Sequence, residues 1–143
     1  MKVIPMSTHV LKKPEPAPAL NPLVEWAYVH GKDRGIIARV DIPQGTLIER
    51  SPAIVFPVED MTRADGSSLL LENYCFLWEE KGVDTEYAIG LGYIGLYNHS
   101  KNPNAEFDCD FETKEMTMTA ARDIKAGEEV TFDYDCELWF DPQ

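Results

Sequence analysis

Residues 94–104 combine an apolar stretch with a cluster of side chains that could bind a ligand. Asn98, His99 and Ser100 follow directly after Leu96 and Tyr97. Such a segment can present amides, an imidazole and backbone groups into a cleft, and its proline and asparagines are expected to prevent a regular element there. The same residues are compatible with an ordinary turn between strands, so the ligand-binding interpretation needs support from the rest of the chain.

Two other kinds of chemistry have little support in the sequence. Ser100 lies beside His99, but neighbours in sequence rarely form a nucleophile and its base, and the Gly-x-Ser-x-Gly turn of many hydrolases does not occur. The three cysteines and three histidines are scattered, without a Cys-x-x-Cys pair. We therefore expect neither a hydrolytic mechanism nor a metal site.

Composition limits the class of protein and its partners. The 143 residues suit one domain, and 25 acidic against 13 basic residues give a formal net charge of −12. This charge repels nucleic acid and attracts basic proteins or peptides. The sequence has no apolar run of membrane-spanning length and no secretory signal. We expect a soluble, intracellular monomer or homodimer, cytoplasmic unless secreted as an effector, that contacts no membrane.

The elements that must position the polar segment are predicted to be mainly strands. Residues 1–24 carry five prolines without apolar periodicity, which predicts a flexible arm and leaves residues 25–143 as the domain. Alternating apolar residues predict strands within residues 25–30, 36–38, 73–78, 87–93, 107–111, 116–120 and 130–134. Residues 59–71 are expected to form a loop with at most one helical turn.

A short pattern occurs twice. Residues 41–48 and 123–130 both follow Asp-Ile-x-x-Gly-x-x-(Ile or Val). Each copy predicts a four-residue turn closed by glycine and followed by a strand. Two copies are too few for a solenoid, so the pattern indicates two similar corners in one small β fold.

Three strands are expected to direct aromatic side chains inward. Phe107 alternates with acidic residues that must be solvated, and Tyr134 ends an inward row on the last strand, which brings a phenol to the edge of the core. Tyr74, Phe76 and Trp78 are predicted to share one face of another strand.

Three segments, in order, resemble the SET-domain protein lysine methyltransferases. They are Gly-Lys-Asp-Arg-Gly-Ile-Ile-Ala at residues 31–38, Asn-His-Ser followed by Pro-Asn at residues 98–104, and Glu-Glu-Val-Thr-Phe-Asp-Tyr at residues 128–134. The resemblance covers about residues 25–134. It implies a β-clip SET fold of several small sheets, in which the Asn-His segment and the last strand pack in a knot-like C-terminal arrangement.

The resemblance also implies an activity and two binding regions. S-adenosylmethionine is expected in one pocket, and the ε-amine of a lysine in a basic protein such as a histone enters from the opposite face to be methylated. Tyr134 is the expected catalytic residue. The implied cofactor-binding residues are Lys32, Asp33, Arg34, Gly35, Asn98, His99, Tyr134 and Trp139, the last by stacking on the adenine.

The lysine channel implied by the resemblance is aromatic. Phe107 occupies a position where family members carry Tyr or Phe, and Tyr74 or Tyr93 would complete the lining. An apolar channel favours the neutral amine that must attack the methyl group. A phenylalanine leaves more room than a tyrosine for an amine that is already methylated, which predicts a product beyond monomethyl-lysine.

The sequence departs from the family pattern at three places. Asp33 stands where many members have the first glycine of Gly-x-Gly, and Gly95 replaces an arginine usual before Asn-His. The zinc-binding cysteines that follow the last motif in the family are missing, and a short aromatic segment around Trp139 would take their place. Asp33 and Gly95 keep an alternative open, a non-catalytic β-clip module that binds basic peptides.

Overall fold

A computed structural model describes residues 20–67, 69–80 and 83–134, and within these residues the chain is mainly β. The strands are β1 (Val24–Tyr28), β2 (Arg34–Ala38), β3 (Leu47–Pro57), β4 (Phe76–Glu80), β5 (Val83–Gly90), β6 (Asn98–His99), β7 (Ala105–Asp110), β8 (Glu115–Ala120) and β9 (Glu129–Phe132). Short 3₁₀ helices span Val58–Met61, Leu70–Tyr74 and Ile94–Leu96. The mainly β prediction is therefore confirmed. Trp139 and most of the predicted arm lie outside the described residues.

The strands form two sheets. One has the order β1-β2-β9-β6 and the other β4-β5-β3-β8-β7. Neighbours are antiparallel except that β6 runs parallel to β9. Apolar side chains from both sheets meet in one core, whose fully buried members include Val24, Ile36, Ile94, Met116, Met118 and Val130.

The hairpin of β7 and β8 follows the predicted alternation. Phe107 lies opposite Met118, and the acidic residues of β7 face solvent while the methionines of β8 are buried. Strict alternation with charged residues allows only one face of the pair to enter the core.

The two repeated corners pair with each other. Ile42 and Ile124 form an antiparallel bridge in which each N–H donates to the other's carbonyl, at 2.7 and 2.8 Å, and both side chains are buried. The carboxylates of Asp41 and Asp123 each accept a backbone N–H from the opposite corner, at 2.9 and 2.8 Å. The repeated Asp-Ile pattern thus forms a reciprocal contact that leads into β3 and β9.

Two local predictions were wrong. Tyr74 does not share a strand face with Phe76, because it ends the Leu70–Tyr74 helix, which closes when the N–H of Cys75 donates to the carbonyl of Glu72 at 3.3 Å. Local hydrogen bonding there competes with the extended conformation that the aromatic residues favour.

The polar segment is also more regular than predicted. Asn98 and His99 form β6, paired with Thr131 and Phe132. Backbone hydrogen bonds to a neighbouring strand override the local preference of these residues for turns. Because β9 lies between β2 and β6, its Thr131 is buried as well, at 8% exposure.

Candidate active site

Asn98 lies at the centre of a polar network between β2, β6 and β9. Its Nδ2 donates to the carbonyl of Arg34 at 2.9 Å and to Oε1 of Glu129 at 2.7 Å. The other carboxylate oxygen of Glu129 accepts a hydrogen bond from Lys32 Nζ at 2.8 Å. Both amide hydrogens of Asn98 are thereby used, and no residue in the described part of the chain donates to its Oδ1. This oxygen can accept a hydrogen bond from a ligand.

Gly35 makes this packing possible. A Cβ atom at Gly35 would lie 2.7 Å from Glu129 Oε1 and 2.8 Å from both Asn98 Nδ2 and Val29 Cγ2. These distances are too short for any side chain, so only glycine allows Asn98 and Glu129 to lie directly on β2.

Asp33 does not point into the network. Its carboxylate is 77% exposed and lies 3.7 Å from Nε of Arg34, itself partly exposed. The negative charge is therefore solvated and partly balanced by a neighbouring guanidinium, and it is the backbone carbonyl of Arg34 that contacts Asn98.

His99 holds the chain at Tyr134 with one ring nitrogen and leaves the other without a described partner. Its Nδ1 accepts the backbone N–H of Tyr134 at 3.1 Å, which assigns the proton of the neutral ring to Nε2. This Nε2 is buried, and no atom of the described residues accepts from it. Because a buried donor without an acceptor is costly, Nε2 marks a position for a further contact.

The Tyr134 hydroxyl is also fixed. It donates its proton to the backbone carbonyl of Tyr97 at 2.8 Å. Because a phenol has a single proton, the oxygen can only accept any further hydrogen bond. Any further hydrogen-bond partner of this oxygen must therefore be a donor.

Three aromatic side chains, Phe76, Phe107 and Phe132, pack beside Tyr134 and are here called the aromatic cluster. Phe76 stacks on Phe107 with ring centroids 4.6 Å apart, and Phe132 lies 5.5 Å from Phe107 and 4.9 Å from Tyr134. Apolar surroundings of this kind destabilise a charged amine relative to a neutral one. The structure therefore brings Phe107 and Tyr134, both predicted from the sequence, to one place.

The other two predicted channel residues, Tyr74 and Tyr93, have other contacts in the described part of the chain. Within the described residues, neither Tyr74 nor Tyr93 makes a ring contact with the aromatic cluster. The N–H of Tyr93 donates to Oε1 of Glu49 at 2.8 Å. The carbonyl of Tyr74 would lie 3.2 Å from a Cβ atom at Gly95. A side chain at position 95, such as the arginine of the family pattern, would therefore press on the carbonyl that ends the Leu70–Tyr74 helix.

Sequence reasoning missed four residues that shape the site. Phe76 and Phe132 belong to the aromatic cluster, and Glu129 joins Lys32 to Asn98. The fourth, Asn104, is 3% exposed and binds β9 through both ends of its amide, donating to the carbonyl of Glu129 at 2.8 Å and accepting from Thr131 N–H at 2.9 Å. The Pro-Asn pair after Asn-His could have indicated Asn104, whereas strand alternation assigned Glu129 to an outer face.

Two titratable groups near the site stay protonated at neutral pH. Burial, followed by the adjacent carboxylate of Glu49, raises the pKa of Tyr97 far above its ordinary value. Burial likewise raises the pKa of the Cys109 thiol to about 11, with a smaller effect of Asp108. Neither group can serve as a base or thiolate nucleophile.

Residues 20–67, 69–80 and 83–134 offer neither a cluster of metal-binding side chains nor a membrane-spanning helix. They contain no group of three or more histidine, cysteine or acidic side chains that could hold a metal ion. No helix in the same residues is long and apolar enough to cross a membrane.

Comparison with known proteins agrees with this geometry. Residues 33–135 match the SET domain family. The chain is 29% identical over 126 residues to the histone-lysine N-methyltransferase, H3 lysine-37 specific, of Schizosaccharomyces pombe, covering 88% of this chain and 82% of the relative. It is 28% identical over 119 residues to the N-lysine methyltransferase KMT5A-A of Xenopus laevis, covering 78% of this chain but 36% of that protein.

A solved structure shows the same fold. A Plasmodium falciparum protein, itself provisionally assigned as a histone methyltransferase, superposes with a TM-score of 0.60 at 22% identity, covering 80% of this chain and 99% of the other. The family match covers the first of the three motif segments from Asp33 onward and the whole of the other two. The chain belongs to the SET-domain family of protein lysine methyltransferases.

Proposed function

We propose that the protein transfers a methyl group from S-adenosylmethionine to the ε-amine of a lysine in a basic protein, with histones as the substrate class. The observation that carries this proposal is the meeting of two unlike surfaces at Tyr134. Its hydroxyl donates to the carbonyl of Tyr97, the residue before Asn98 of the polar network, and its ring packs on Phe132 of the aromatic cluster.

The polar network suits the amino-acid part of the cofactor. Lys32 and Glu129 place opposite charges 2.8 Å apart, which complements the carboxylate and ammonium of a free amino acid. Oδ1 of Asn98 can accept from the ammonium, and the buried Nε2 of His99 can donate to a polar group of the ligand or its surroundings. When bound, S-adenosylmethionine supplies a methyl group on an electrophilic sulfonium, which the electron pair of a neutral amine can take.

The aromatic cluster suits the lysine. Phe76, Phe107 and Phe132 exclude water around an amine and lower its pKa, which increases the fraction able to attack. The Tyr134 oxygen, whose proton is donated to Tyr97, can orient the amine by accepting an N–H. Direct displacement requires alignment more than a nucleophile on the protein, and these residues provide that alignment.

Phe107 supports a product beyond monomethyl-lysine. Its ring has no hydroxyl and stacks at 17° on Phe76, so the channel wall at this point contains no group that would hold a water molecule or restrict rotation of a methylated amine. A second transfer then needs no rearrangement of the wall.

The surface beside the channel supports a basic substrate. Glu106 and Asp108 are exposed on β7, on either side of Phe107. At the end of the strand, the Thr113 N–H keeps the pKa of Asp110 below its ordinary value, so that carboxylate is ionised at neutral pH. Histones carry the complementary charge, and the Schizosaccharomyces pombe relative is named for a histone H3 lysine.

A labelled-methyl assay tests the proposal. The purified chain is incubated with S-adenosylmethionine carrying a labelled methyl group and with histones, beside Tyr134→Phe and, as matched control, Glu59→Gln on an exposed 3₁₀ helix. We expect label on histone lysines with wild type and Glu59→Gln, and about 100-fold less with Tyr134→Phe. Absence of transfer, under conditions where calorimetry detects cofactor binding, would refute the proposed activity.

A further inference from the structure

Glu49 is a buried carboxylate outside the polar network and the aromatic cluster. It lies on β3 and is 7% exposed. In the described part of the chain, no lysine, arginine or histidine forms an ion pair with it. A buried charge without a cation is costly unless several donors satisfy it, so its retention calls for a structural or functional reason.

Three donors converge on this carboxylate. Oε2 accepts the hydroxyl of Tyr97 at 2.7 Å, and Oε1 accepts the Ser51 hydroxyl at 2.7 Å and the Tyr93 N–H at 2.8 Å. Gly92, with a φ of 96°, passes so close that a Cβ atom there would lie 2.7 Å from Oε1. The turn that precedes β6 is therefore wrapped around the Glu49 carboxylate.

Tyr97 connects this turn to the active-site tyrosine. Its side chain is 1% exposed and ends at Glu49, while its backbone carbonyl accepts the Tyr134 hydroxyl at 2.8 Å. Tyr97 is thus held at its ring by Glu49 and contacts Tyr134 through its backbone. A displacement of Tyr97 from this anchored position would move its backbone, and with it the carbonyl that accepts the Tyr134 hydroxyl.

We propose that Glu49 is a positioning residue for methyl transfer, which fixes Tyr97 so that its carbonyl holds the Tyr134 hydroxyl in the direction required by the reaction. This inference rests on the proposed function and deepens it. Glu49 touches neither substrate nor cofactor in this account; it acts through Tyr97 alone. Its removal is expected to lower kcat while leaving the affinity for the cofactor unchanged.

Two variants separate this role from general support of the core. Glu49→Gln keeps the volume but removes the charge, whereas alanine would enlarge the neighbouring cavity of about 370 Å³ and is avoided. Tyr97→Phe removes the hydroxyl that donates to Glu49, and so removes the same contact at its other partner. Each is expected to lower kcat about tenfold, with KM for S-adenosylmethionine changed less than about twofold, and Glu59→Gln serves as control. A raised cofactor KM with unchanged kcat would overturn the proposal.

Coupling to Tyr134 gives a readout that a purely structural role would not change. In a Tyr134→Phe background the hydroxyl to be oriented is already missing, so adding Glu49→Gln should cause no further loss of kcat. A loss equal to that in the wild-type background would show that Glu49 acts independently of Tyr134, and would overturn the proposal.

A spectroscopic measurement on the full chain tests the same link without methyl transfer. With ¹³C-labelled tyrosine, the ring ζ-carbon of Tyr134 should shift in Glu49→Gln and in Tyr97→Phe but not in Glu59→Gln. The carbonyl carbon of Tyr97 should shift in Glu49→Gln. Tyr97→Phe carries the test if Glu49→Gln does not fold. Unshifted Tyr134 signals in a folded variant would overturn the proposal. Shifted signals in a protein that transfers no methyl group would support the positioning by Glu49 and refute the proposed function.

Discussion

The two surfaces that meet at Tyr134 are built from different interactions. The polar network is held by directional hydrogen bonds between segments far apart in sequence, such as the 2.7 Å bond from Asn98 to Glu129. The aromatic cluster is held by ring packing, with Phe76, Phe107 and Phe132 at centroid distances of 4.6 to 6.3 Å.

This difference predicts different responses to substitution. A hydrogen-bonding network fails when one partner is lost, because the remaining groups are left unsatisfied. An aromatic wall responds gradually to changes of volume. Substitutions in the polar network should therefore affect the cofactor abruptly, and those in the aromatic cluster should affect the lysine substrate in proportion to size.

The largest effect is expected for Asn98→Ala. It removes the hydrogen bonds to Arg34 and Glu129, and with them the amide Oδ1 proposed to accept from the cofactor. The Kd for S-adenosylmethionine should rise about 100-fold by calorimetry, with Asn102→Ala on the exposed turn as control. Equal affinities for wild type and Asn98→Ala would remove the polar network from the cofactor site.

A smaller effect on the other substrate is expected for Phe76→Leu. The variant loses the stacked contact with Phe107 but keeps an apolar side chain. KM for a histone peptide should rise about tenfold while calorimetry gives an unchanged Kd for S-adenosylmethionine. Leu77→Ala, at a side chain that is 47% exposed on the same strand, is the control. An unchanged peptide KM would mean that the aromatic cluster does not contain the lysine.

Glu129→Gln should weaken the polar network without dismantling it. The amide can still accept from Asn98, but the charge that pairs with Lys32 is lost. We expect the cofactor Kd to rise about fivefold in Glu129→Gln and to rise less in the control Glu59→Gln. Tighter cofactor binding by Glu129→Gln would show that the carboxylate repels the ligand instead of orienting it.

Phe107→Tyr tests the size of the channel. A hydroxyl on this ring would take space and hold water beside the amine, so the ratio of dimethyl- and trimethyl-lysine to monomethyl-lysine should fall about threefold by mass spectrometry of the product. Phe111→Tyr is a matched control, because Phe111 packs against Trp78 outside the aromatic cluster. An unchanged ratio would show that Phe107 does not set the degree of methylation.

Acid should lower the stability of the whole fold slightly, through the paired corners, and so affect both surfaces equally. This is the smallest of the expected effects. The Ala126 N–H and Lys125 keep the pKa of Asp41 below 3.8, and the Lys125 N–H and Arg122 keep that of Glu128 below 4.5. Because these pKa values are lowered by folding, the stabilisation is present above the unfolded values and is lost as pH falls through the folded ones. Urea midpoints should therefore decline below pH of about 4.5, and less so in Asp41→Asn. A midpoint that rises on acidification would contradict this.

Much of the fold could be predicted because the relevant signals are local. The β7–β8 hairpin follows from alternation around Phe107, and the two corners follow from a repeated Asp-Ile-x-x-Gly pattern. The position of Tyr74 could not be predicted in the same way, because a strand and a 3₁₀ helix compete over residues 70–76, and the end of the helix lies beside Gly95, which is distant in sequence.

The site was only partly predictable for a related reason. Asn98, His99 and Tyr134 stand in short motifs, so their chemistry is visible in the sequence. Their partners come from elsewhere: Glu129 is 31 residues from Asn98, and Glu49 is 48 residues from Tyr97. Such contacts depend on strand order, which no local pattern specifies.

The central claim is that the polar network binds the cofactor and the aromatic cluster binds the lysine. Steady-state methylation of a histone peptide, with both substrates varied, measures the two KM values separately in Glu129→Gln and Phe76→Leu. We expect Glu129→Gln to raise only KM for S-adenosylmethionine and Phe76→Leu to raise only KM for the peptide. Equal changes of both KM values in both variants, or a reversed pattern, would contradict it.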